Sequence, residues 1–104
     1  MKDERGGDTS MDELEAKGIL AQQIERLRGM SHSELQRFVK DEEHLETKGE
    51  SGVEYQVEVL ALWDEGRPGG NLRVMVSIDD GGWRAFKPLT EDFIIAPDGS
   101  FVGE

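Results

Sequence analysis

Few side chains in this sequence are of the kinds that do chemistry, and their spacing limits what they could do. His32 stands between Ser31 and Ser33, and with a distant Asp it supplies the residue types of a nucleophilic triad. No Gly-x-Ser-x-Gly elbow is present, and the two serines are explained by helix capping. Asp41-x-x-His44, with Glu42, Glu43 and Glu46, gathers carboxylate and imidazole donors in one stretch. A bundle-type di-iron site needs two Glu-x-x-His segments on four helices, so the single copy reads as a solvated helix face. His32 and His44, read as members of one helix, lie too far apart along it to share a metal. Asp79 and Asp80, with Asp64 or Glu65, are the remaining metal candidates, for a hard cation such as Ca²⁺. The Asp-x-Asp-x-Asp-Gly loop is missing, and turn geometry alone accounts for the two aspartates. These patterns predict no catalytic residue, no resident metal and no cofactor.

Composition narrows the partners. The absence of Cys removes thiolate nucleophiles, disulfides and Cys-based zinc sites. Against 23 Asp and Glu stand 12 Lys and Arg, for a net charge of -11, so long-range steering favours cationic partners and opposes polyanions. General nucleic-acid binding is thereby disfavoured. The acidity divides as -5 over residues 1–50 and -6 over 51–104, so no acidic tail stands apart. No apolar run approaches the roughly 20 residues of a membrane span, and the polar N-terminal residues do not resemble a signal peptide. The reading is a cytoplasmic protein that does not associate with membranes. At 104 residues, 36% of them apolar, the chain can bury one core.

The elements that position these residues are legible from period and punctuation. Residues 1–9 are polar and Gly-containing and predict a disordered tail, followed by one domain over 10–104. Ser10 and Glu13 have capping-box spacing, and Ala16, Leu20, Ile24 and Leu27 then fall on one helical stripe that Gly29 ends. This predicts a helix over about 10–28. Ser31 and Glu34 repeat the capping box, with Met30 placed to staple onto Leu35. Leu35, Phe38, Val39 and Leu45 then predict a second helix over about 32–46, with Arg37, Lys40, Asp41 and His44 pointing away from the core.

From Val53 the period changes to two. Val53, Tyr55, Val57, Val59, Ala61 and Trp63 share one face of a strand over about 53–63, and Leu72, Val74, Val76 and Ile78 share one face of a strand over about 71–79. The 64–71 loop joins them and is no phosphate loop, since it lacks the Walker spacing and strands flank it. Asp79-Asp80-Gly81-Gly82 predicts a tight hairpin into a strand at 82–87, and further strands follow at 92–96 and 100–103 around Pro97-Asp98-Gly99. The fold class is α+β: two N-terminal helices packed on one face of an antiparallel β-meander of three to five strands.

One surface stands out in this scheme. Leu60, Leu62, Met75 and Phe86 occupy the sheet face away from the helices, beside Arg73 and Arg84. Either the C-terminal segment covers or extends this face, through Leu89, Phe93, Ile94 and Phe101, or it meets a partner. With Arg67 in the 64–71 loop, these residues are the candidate partner-binding set. The leading expectation is a non-enzymatic interaction module, such as a regulator, inhibitor, immunity-type or accessory protein, binding a protein with a basic surface. It would be monomeric or a weak homodimer. The first alternative is a nucleic-acid mimic presenting rows of carboxylates. The second is a small-ligand binder or enzyme with a pocket between helices and sheet, using Tyr55, His32 or Asp79. Tyr55 and Trp63 otherwise read as core rather than as a stacking platform.

Overall fold

The structure is a computed structural model that describes the backbone of residues 4–80 and 88–104, with side chains from residue 13 onward in those ranges. Helix α1 spans Glu4–Arg28, followed by two single turns, α2 (His32–Leu35) and α3 (Arg37–Lys40). Among the described residues four strands follow: β1 (Glu43–Lys48), β2 (Glu54–Trp63), β3 (Leu72–Asp79) and β4 (Leu89–Ile95). They form one antiparallel sheet in the order β1-β2-β3-β4. Among the described residues no helix is long and apolar enough to cross a membrane.

The α+β architecture expected from the sequence is present. Tyr55, Val57, Val59 and Ala61 of β2 are buried, as are Leu72, Val74, Val76 and Ile78 of β3, in strict alternation with more exposed neighbours. Ala16, Leu20 and Leu27 of α1 join the same core, as do Leu35 of α2 and Phe38 of α3, with Ile24 and Val39 packed at its margin. The Ser31 cap forms as its spacing implies: Glu34 N–H donates to Ser31 Oγ at 3.1 Å, and Ser31 N–H donates to Glu34 Oε1 at 2.8 Å.

The helix expected over 32–46 stops at Lys40, and residues 43–48 are a strand. Continuing it would have stacked Asp41, Glu42, Glu43 and Glu46 at the negative end of the helix dipole, an unfavourable placement. Extended, the segment pairs with β2 in register from Glu43 opposite Val59 to Lys48 opposite Glu54, and turns Leu45 toward the core. His32 and His44 therefore sit on different elements.

Two other boundaries move. The backbone of α1 begins at Glu4, so Ser10 lies inside the helix rather than at its start and 4–9 are helical rather than a loose tail. Beside β3 lies β4, with Ile78 opposite Leu89; the tight turn expected at Asp79–Gly82 runs into residues outside those described. The strand expected at 82–87 falls outside the described residues, as does Trp83. Pairing with 89–95 turns Phe93 and Ile95 into the core, a larger apolar contribution than a short turn would deliver. In place of a strand at 100–103, one bridge joins Phe101 to Ile95 across the Pro97-Asp98-Gly99 turn, where Gly99 takes φ 91°.

Polar clamps fix the helix to the sheet. The Glu15 carboxylate accepts from Ser51 N–H at 2.9 Å, Ser51 Oγ at 2.7 Å and Tyr55 Oη at 2.9 Å. The Ser51 bonds foremost, then that of Tyr55, hold its pKa below the ordinary value. A side chain at Gly49 would place Cβ 2.4 Å from Glu15 Cδ, so the clamp requires glycine there. At the other end of α1, the Arg28 guanidinium lies 4.0 Å from the Phe101 ring centroid and pairs with Glu104.

Candidate functional site

The helices cover only the odd-numbered face of β2. Its even-numbered face carries Leu60 and Leu62, which with Met75 of β3 and Ile94 of β4 lie outside the core. Register makes these four neighbours, since Leu60 faces Met75, Leu62 faces Arg73, and Arg73 faces Ile94 on its other side. Leu62 retains 52% of its accessible surface, while Leu60, Met75 and Ile94 are half-buried. The C-terminal segment extends the sheet through β4 instead of lying across this face, and its Phe93 points into the core. Ile94 is an addition to the patch that depends on β4 lying next to β3.

Arg73 sits inside the patch but is not a free cation. Its guanidinium donates to Asp92 at 2.6 Å and to Asp64 at 3.4 Å. The Asp92 hydrogen bond foremost, with both carboxylate charges behind it and desolvation opposing, raises its pKa above the ordinary value. Arg73 is thus an internally neutralised cation set between Leu62 and Ile94. Arg67 lies in the exposed 64–71 connection, its side chain folded toward Gly70. Arg84 and Phe86 lie outside the described residues.

Beside the apolar patch, the open face becomes polar toward β1. A depression of 370 Å³ is lined by His44, Glu46, Gln56, Glu58, Ser77 and Asp79, together with Leu45 and Val57. Here the chemistry of the face changes from methyl groups to carboxylates within the length of two strands.

The other residues singled out from sequence do not converge. Asp79 ends β3 and Asp80 follows it, whereas Asp64 and Glu65 precede its N-terminal end, roughly 20 Å away along an extended strand. The hairpin separates them, so the hard-cation grouping does not form. Tyr55 is buried at 1% exposure and donates to Glu15. His32 is buried against Trp63, its Nε2 2.7 Å from the Gly70 carbonyl oxygen and its Nδ1 3.2 Å from the Gln36 amide nitrogen. Asp79 is on the opposite face from both Tyr55 and Val57. These three side chains therefore share no cavity between helices and sheet.

Sequence reasoning passed over one grouping that the structure assembles. His44 stands directly opposite Glu58 across the β1–β2 pair, and Glu42 joins them from just before β1. Its signal was the alternation Leu45, Thr47, Val53, Tyr55 about a Gly-containing turn, which marks a hairpin.

The architecture is that of an α+β protein in which, among the described residues, helices cover one sheet face and not the other. No protein-family model, curated protein or solved structure matches the chain, so the functional argument rests on this geometry.

Proposed function

We propose that this protein is a non-enzymatic interaction module whose open sheet face docks a protein with a basic surface. The observation that carries the reading is the contiguous Leu60, Leu62, Met75 and Ile94 patch, uncovered by any described helix and bordered by carboxylates. Apolar side chains around a neutralised arginine, with carboxylates at the margin, match the anatomy of a recognition surface, where Arg is enriched. The net charge of -11 supplies long-range attraction for a basic partner and works against self-association through the same face. Arg73, already neutralised by Asp64 and Asp92, seeks no anion.

The nucleic-acid-mimic reading finds less support. A phosphate mimic wants unbroken rows of carboxylates, whereas Lys48 stands opposite Glu54 and Arg73 lies between Asp64 and Asp92. The patch of methyl groups between them has no counterpart in a phosphate backbone.

The test is quantitative capture from extract of the source cell at low and high salt, comparing the native chain with Leu62→Asp and Met75→Asp. Capture should weaken as salt rises and fall about tenfold or more in both variants, the loss of roughly 1.4 kcal/mol that one central apolar contact supplies. Capture indifferent to salt, or undiminished in the two variants with native circular dichroism, contradicts the proposal.

A further inference from the structure

Among the described residues, several carboxylates that touch a neighbour are compensated. Glu43 holds Arg26 at 2.7 Å, Asp64 and Asp92 share Arg73, Glu104 pairs with Arg28, and Glu15 accepts three hydrogen bonds. At the β1 edge of the open face the pattern differs. Glu42 Oε1 lies 3.5 Å from His44 Nε2, and Glu58 Oε2 lies 3.6 Å from His44 Nδ1. Among the described residues neither carboxylate has a Lys or Arg within ion-pair reach. Two anions thus flank one imidazole, and that arrangement is stabilised by a cation.

We propose that Glu42, His44 and Glu58 bind a divalent transition-metal ion of the Zn²⁺ class. One imidazole nitrogen and one oxygen from each carboxylate lie within 4.8 Å of one another. Metal bonds of about 2.0–2.2 Å call for only small rotations of these exposed side-chain ends. Imidazole selects Zn²⁺, Cu²⁺ or Ni²⁺ over Ca²⁺ and Mg²⁺, which demand more oxygen donors. The scaffold is firm, because His44 and Glu58 are register partners in a paired ladder, and Glu42, just before β1, reaches the same imidazole. Three protein ligands leave a coordination position for water, and the adjoining 370 Å³ depression, with Glu46, Gln56 and Ser77 on its wall, provides the space.

The molecule contains its own control. His32 is 8% exposed with both ring nitrogens engaged, whereas the His44 side chain is 66% exposed. Zn²⁺ alone, titrated into isotope-labelled full chain and followed by the two imidazole resonances, should shift His44 to a single 1:1 plateau and leave His32 in place. Mg²⁺ at the same concentrations should shift neither. His44→Ala and Glu58→Gln should each weaken Zn²⁺ binding by on the order of 100-fold, at the upper end of what even supporting residues of metal sites contribute. Glu54→Gln removes the same charge from the same face and should change nothing. No His44 shift, equal shifts at both histidines, or equal weakening by Glu54→Gln and Glu58→Gln would each overturn the site, the last showing attraction to acidic surface alone.

Discussion

Val59 and Leu60 are consecutive in β2 and meet opposite surroundings. Val59 is sealed beneath the helices, with buried Val76 across from it, while Leu60 lies on the open face beside Met75. The two faces share one backbone and one hydrogen-bond ladder, so pairing alone cannot explain why one is covered. The difference lies in what each face was given to pack against. Three helical elements supply Leu20, Leu27, Leu35 and Phe38 to the odd face, and none supplies a core residue to the even one. Among the described residues, the core is thus built on one side of the sheet.

The sharpest way to break this contrast is a pair of truncations at neighbouring positions. Leu72→Ala, at a fully buried core site, should cost about 2–5 kcal/mol through lost burial and a residual cavity. Leu62→Ala, one strand away but outward-facing, should stay within about 0.5 kcal/mol. Urea unfolding of both variants measures the difference, and similar losses would mean that the open face is packed after all.

A smaller effect sharpens the helix side of the comparison. Ser31→Ala removes the hydroxyl that accepts from Glu34 N–H and should lower stability by about 1 kcal/mol. Glu34→Gln keeps an acceptor for Ser31 N–H and should cost less, again by urea unfolding.

The Glu15 clamp gives the mildest prediction, and its direction depends on pH. Its hydrogen bonds from Ser51 and Tyr55 hold the folded-state pKa below the ordinary glutamate value, so its stabilisation is fully present above that ordinary value and is lost as pH falls through the folded pKa. Thermal melts of the native chain and Glu15→Gln should therefore differ at neutral pH and converge in acid. A gap that stays constant or widens in acid would show that the three hydrogen bonds do not act through the ionised carboxylate.

Much of the covered face was legible in the sequence, because alternation from Val53 to Trp63 and from Leu72 to Ile78 reports burial residue by residue. The Ser31 cap was equally readable, since its partners lie three residues apart. β1 was not, because Leu35, Phe38, Val39 and Leu45 satisfy helical spacing as well as Leu45 and Thr47 satisfy strand spacing. Only the electrostatic cost of four acidic residues at a helix C-terminus separates the two readings. The same ambiguity hid the meeting of His44 with Glu58, a contact that exists only once a strand pairs there. Ile94 became part of the patch through β4 lying beside β3, a long-range choice that local turn signals at Asp79–Gly82 did not reveal.

Methyl NMR with a soluble paramagnetic agent measures the asymmetry of the sheet directly. The methyl groups of Leu60, Leu62, Met75 and Ile94 should broaden strongly, while those of Val57, Val59, Val74 and Val76 remain sharp. Comparable protection of both sets in the isolated chain would contradict an open recognition face, and with it the function proposed for this protein.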